Sequence, residues 1–203
     1  RRNIGGISKL SSERLVEELK KLIKSDGFTR LFKDKESLEL IEIIFPQLKN
    51  LQNFKKLNSY AQKNISKVDF IFLISLLIVD ETDNADYFLY KFKISNKDQK
   101  RIKFIDNVYK QKININYFIE KNLNKIFYFN GRQAVTDIIS FKLFTSKKLE
   151  KKLYKLLDYY NNKNLPTLPV GANILMSKYN IPEGKVLGNK LKMIEEIWVQ
   201  NGF

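Results

Sequence analysis

Apolar residues recur along this chain at helical spacing. Leu15, Leu19, Leu22 and Ile23 repeat at intervals of three and four behind Ser11 and Ser12, either of which can cap a helix. Glu13, Glu17 and Glu18 sit in its early turns and Gly27 lies beyond its end. Leu38, Ile41, Ile44 and Phe45 mark a second helix from about residue 35 to 45, which Pro46 stops. Residues 51–62 and 68–79 read as two more, and the second is apolar nearly all round, which assigns it to a core. The polar run Asp80-Glu81-Thr82-Asp83-Asn84 then breaks the chain before a short helix over 85–92.

The same period continues to the end. Ser95 is placed to cap a helix whose Asp98 can take up a free backbone amide and whose Ile102, Ile105 and Val108 face inward. Helices over 115–127 and 132–144 are separated by Asn130-Gly131, and Leu149, Leu153, Leu156 and Leu157 run through a further one over 147–160. Residues 161–169, with Pro166 and Pro169, form the least helical stretch and the best linker. A short helix over 172–179, a turn at Pro182 and Gly184, and an amphipathic helix with Leu187, Leu191, Ile194 and Trp198 follow. No stretch alternates with period two, so the expected fold is all-α, a stacked helical array without significant β-sheet. The pattern divides the chain into helices over 1–50, a longer helical run over 51–160, and a linker with further helices over 161–203.

Composition narrows the chemistry. With 43% apolar residues in 203 the chain can pack a core, and its longest apolar run, Phe70 to Val79 around Ser75, is half of the roughly 20 residues that cross a bilayer, so no membrane role is expected. The absence of Cys and His removes thiolate nucleophiles, Cys-based zinc sites and the commonest general base. It fits the cytoplasm or an organelle matrix. Net charge is +15, which favours a polyanionic partner, although Lys-rich, Asn-rich and Ile-rich composition can also arise from AT-rich coding. Only six of the 37 basic residues are Arg.

Two-metal nucleotidyl transfer needs paired carboxylates on a rigid strand. The one acidic cluster, Asp80-Glu81-Thr82-Asp83 with Asp86, lies between helices with no phosphate-cradling turn beside it and reads as a solvated loop. Gly5-Gly6 lacks the rest of a phosphate loop. No catalytic or metal-binding residue is therefore assigned. Cations are another matter. Lys97, Lys100 and Arg101 gather near a helix start, Arg132 follows Gly131, and Lys147, Lys148, Lys151, Lys152 and Lys155 recur at i, i+4 and i+8 as a stripe. Each is either a solvated face or a phosphate contact; together they favour RNA. Arg14 and Glu18, four apart on one helix, can pair. Tyr109, Tyr117, Phe118, Phe127, Tyr128, Phe129, Tyr154, Tyr159 and Tyr160 could stack on bases, but most recur with Leu and Ile at core spacing. Met176 and Trp198 are also core candidates.

Three segments carry a family resemblance. They are Ser11-Ser12-Glu13-Arg14-Leu15 with Glu18-Leu19; Ile44-Phe45-Pro46-Gln47-Leu48; and a tail with Pro169, Gly171, Leu175, Met176, Ile181, Gly184, Gly188, Leu191, Ile194, Glu195, Glu196, Trp198 and Phe203. They resemble the neck, body and tail of bacterial-type CCA-adding tRNA nucleotidyltransferases and the related poly(A) polymerases, with Gln47 and Asn173 where the family usually has acids. The resemblance implies that 1–50 are neck-like helices, 51–160 a helical body and 161–203 a linker and tail helices. It implies that Arg14 and Glu18 stiffen the neck and that body and tail helices grip tRNA or another structured RNA. It also implies that the catalytic head, with its Mg2+ and CTP or ATP, is absent from this chain, residue 1 falling just after the templating motif. The chain alone is expected to be inactive. A separate head polypeptide is one implied partner; a headless RNA-binding or scaffold protein of a ribonucleoprotein is the alternative.

Overall fold

A computed structural model of the chain describes residues 6, 10–24, 34–148 and 150–203. Among these every regular element is helical and no strand occurs. In order they are α1 (Ser12–Lys24), α2 (Lys35–Ile44), a 3₁₀ turn (Leu51–Lys56), α3 (Ser59–Asn64), a 3₁₀ turn (Ile65–Lys67), α4 (Phe70–Ile78), α5 (Asn84–Lys91) and α6 (Asn96–Lys110). A 3₁₀ turn (Ile115–Tyr117), α7 (Glu120–Thr145), α8 (Lys151–Asn162), α9 (Ala172–Tyr179) and α10 (Lys185–Gln200) complete the chain.

Two compact units share these elements. The first holds residues 1–113 and 140–151, the second 114–139 and 152–203. The first unit gathers α1 to α6 with the end of α7, and the second holds the rest of α7 with nearly all of α8, α9 and α10.

In the first unit α4 is central. Phe72 to Ile78 are all buried, and α4 packs on α1, α5 and α6. Leu19 and Ile23 of α1, Leu38 and Ile41 of α2, Phe88 and Leu89 of α5, and Ile102 and Ile105 of α6 fill in around it, as their spacing predicts. Ring contacts tie distant segments into the same core: Phe72 and Tyr60 each meet Phe144 edge-on, at 5.5 and 5.4 Å.

Local chemistry sets the helix ends. Ser11 Oγ accepts from the Arg14 amide, Asp34 from Glu36, Asp69 from Phe72 and Ser95 from Asp98, each satisfying a first-turn donor. The expected Gly27 cap lies outside the described residues. One expected helix is broken. Residues 51–62 form a 3₁₀ turn and then α3, because Asn58 serves both sides of the break. Its Oδ1 accepts from the Ala61 amide, while its Nδ2 donates to the carbonyls of Leu143, Phe144 and Ser146 at 2.7, 3.3 and 2.9 Å.

The second unit buries Phe118, Leu123, Phe127, Val135, Ile138, Leu153, Leu156, Tyr160, Leu175, Leu187 and Val199. Gly131 interrupts α7 with φ 81° and ψ 174°, a conformation that an L side chain strains to adopt, so the Asn130-Gly131 break falls where the sequence places it. Trp198 packs edge-on against Tyr128 at 5.5 Å and against Phe203 at 5.2 Å, and the Tyr128 hydroxyl donates to Glu195 at 2.6 Å.

Candidate nucleic-acid interface

The start of α6 forms the better-defined cationic patch. The Ser95 hydroxyl accepts from the Asp98 amide and donates to the Asp98 carboxylate, which anchors the first turn. Lys97 and Lys100 are exposed there with no ion pair among the described residues. The helix dipole adds to their attraction for phosphate. Arg101 differs: its two terminal nitrogens each donate to one Asp69 oxygen at 2.8 Å, and its side chain is only 21% exposed. Burial raises the Asp69 carboxyl, but the guanidinium and the Phe72 amide outweigh it and hold the group below the usual carboxylate range. Arg101 thus fastens α6 to the start of α4.

The second cationic set departs from its expected geometry. α8 begins at Lys151, so Lys147 and Lys148 lie ahead of the helix and the stripe is not one continuous helical face. Just ahead of these lysines, the carbonyls of Leu143, Phe144 and Ser146 accept from the Asn58 amide. Leu149 lies outside the described residues. Lys151, Lys152 and Lys155 are exposed along α8; Lys147, Lys148 and Lys151 belong to the first unit, Lys152 and Lys155 to the second.

Arg132, exposed just after Gly131, donates to the Lys163 carbonyl at 2.9 Å and so holds the start of the 163–169 segment. The Lys163 ammonium in turn donates to Asn124 at 2.9 Å and lies over the rings of Phe127, Tyr159, Tyr160 and Phe203 at 4.8 to 6.0 Å. Among the aromatics that spacing assigns to packing, Phe118, Phe127 and Tyr160 are fully buried, whereas Phe129, Tyr154 and Tyr159 stay partly exposed.

Two other expectations meet competing partners. Glu18 pairs with Lys21 at 2.9 Å, and this hydrogen bond leads the lowering of its carboxyl; Arg14 contributes only at longer range. An exposed carboxylate takes whichever cation reaches it at least entropic loss. In the acidic run, Lys110 reaches Asp83 at 3.3 Å, Asp86 at 3.6 Å and the buried Asp106 at 3.0 Å. Burial raises the Asp106 carboxyl, and its second oxygen has no hydrogen-bond partner among the described residues. A Mg2+ pair would have to displace the lysine that gathers these acids, so the donor set does not fit one. Among the described residues no group of three or more acids could hold a metal ion.

Sequence reasoning passed over Tyr87 and Tyr90. Ala85, Phe88, Leu89 and Phe92 take the buried face of α5, and that spacing turns positions 87 and 90 outward beside Lys91 and Lys93.

The described residues thus form helices that carry exposed lysines on their surface. Residues 1–52 match the family model described as "Probable RNA and SrmB- binding site of polymerase A", which supports the poly(A) polymerase family and a general RNA-binding role. The matched residues include α1, α2 and the Phe45-Pro46-Gln47-Leu48 turn, where Gln47 is buried and its carbonyl accepts from Asn84 at 2.8 Å. No curated protein matches the chain. Among the described residues no helix is long and apolar enough to cross a membrane.

Proposed function

We propose that the chain is the RNA-gripping part of a CCA-adding tRNA nucleotidyltransferase, holding the tRNA so that its 3′ end reaches a catalytic head that is either joined to it or separate. The match of residues 1–52 to an RNA-binding region of polymerase A carries this reading. Lys97, Lys100, Lys147, Lys148, Lys151, Lys152 and Lys155 neutralise phosphates; Arg132 and Arg101 position the backbone from which they project. Arg14 and Glu18 stiffen the neck helix. Nucleotide and Mg2+ chemistry belongs to the head, and no step of it is assigned to these residues. The working compartment is the cytoplasm or an organelle matrix.

The test is tRNA binding across a salt series, with Lys148, Lys151, Lys152 and Lys155 changed together to Glu. Affinity should collapse and the slope of log affinity against log salt should flatten by roughly one per lost contact. An unchanged affinity and slope would remove this helix from the interface. Adding a head polypeptide and CTP with ATP should give CCA addition to tRNA that ends before CCA. RNA binding that persists without any productive head would favour the scaffold alternative.

A further inference from the structure

An open groove of about 800 Å3 runs beside α5 and the start of α6, and Asp86, Tyr87, Tyr90, Lys91, Lys93 and Lys103 line it. Two of its rings face solvent in a way that packing does not account for: Tyr87 is 55% and Tyr90 85% exposed. They stand three residues apart on α5, hence on one face. Lysines surround them. Lys93 occupies the turn with φ 47°, a left-handed conformation that Gly or Asn would hold with less strain, and Lys103 comes from the next helix. The groove's acid is neutralised, since Asp86 pairs with Lys103 at 3.4 Å and with Lys110 at 3.6 Å. Lys93 has a partner too, Glu13 at 3.6 Å, but both side chains are largely in water.

We propose that this groove binds an unpaired segment of RNA, with Tyr87 and Tyr90 stacking on successive bases and Lys91, Lys93 and Lys103 meeting the phosphates between them. The proposal rests on the RNA-binding reading above and adds the form of RNA and the site that takes it. A base has a π-face whatever its identity, so two outward rings on one helix face among cations suit a single strand and offer little to a duplex, whose bases are already stacked. Net positive charge in the groove argues for a polyanion in preference to an apolar peptide.

The test uses the 203-residue chain and fluorescence anisotropy with a labelled oligouridine of roughly 12 nucleotides, against an RNA duplex of the same length. Tyr87→Ala and Tyr90→Ala should each weaken oligouridine binding by about tenfold, the size of one lost base stack, and leave the salt slope and duplex affinity unchanged. Tyr87→Phe and Tyr90→Phe, which keep the ring, should bind as the parent does. Lys93→Gly should relieve the left-handed strain, so its stability is kept or raised while single-strand affinity falls. If the parent chain binds RNA and both alanine variants bind oligouridine equally well, the groove assignment fails and the RNA-binding reading stands. If the parent binds neither RNA, both fail together.

Discussion

Replacing Arg101 by Gln separates a brace from a phosphate contact. In the parent, two hydrogen bonds of 2.8 Å join the guanidinium to Asp69, whose Oδ1 also accepts from the Phe72 amide at 3.0 Å. Charged hydrogen bonds contribute about 1.5–3 kcal/mol each when buried. Asp69 is 52% exposed, so screening reduces the pair to about 1–2 kcal/mol in total. Arg101→Gln should therefore lower unfolding free energy by about 1 kcal/mol in urea titrations at neutral pH. Asp69→Ala should lower it by about 1 kcal/mol more than that, because the α4 cap goes too. The double variant should fall short of the sum by about 1 kcal/mol. The sign with pH follows from the depressed Asp69 carboxyl. As pH falls below the ordinary value of 3.8 the unfolded chain takes up the proton first, so the contribution is complete above that value and disappears as pH drops through the folded one. The difference between Arg101→Gln and parent should accordingly shrink as pH is lowered below 3.8. Strictly additive single substitutions, or a difference that ignores pH, would refute the brace. Lys97→Gln with Lys100→Gln should show the opposite pattern, lowering RNA affinity with little loss of stability.

Two further substitutions test the fold. Among the described residues no atom lies within 4 Å of the methyl that Gly131→Ala would add, so its expected loss of about 1–3 kcal/mol is backbone strain alone, and it should melt well below an exposed Gly188→Ala control. Asn58→Ser retains the α3 cap but not the amide that serves the end of α7, whereas Asn58→Ala loses both, so urea unfolding should rank parent, Ser and Ala in falling stability. Equal stability of Ser and parent would show that the long-range bonds contribute nothing.

What the sequence made legible was local. Ser11 and Ser95 announce their helices because a cap acts within four residues, and Gly131 announces its break because the backbone there requires positive φ. What it hid depends on distant partners. Asn58 looks like an ordinary helix residue until the carbonyls of Leu143 and Ser146 arrive from 85 and 88 positions away. Asp83 stays in water as a loop acid should, but the cation that reaches it and Asp86, Lys110, lies on another helix and was not legible beside them. Arg101 and Lys97 look alike in the chain, and only the position of Asp69 distinguishes an anchor from an exposed cation. Tyr87 and Tyr90 were readable by elimination, once Ala85, Phe88, Leu89 and Phe92 claimed the inner face of α5.

The single tryptophan, seated between Tyr128 and Phe203, equips the molecule with a selective optical probe. Its emission follows only the unit built from residues 114–139 and 152–203, while circular dichroism at helical wavelengths sums over both. Overlaying the two signals during denaturation reads cooperativity directly: superimposed curves denote one joint transition, displaced curves two separate ones.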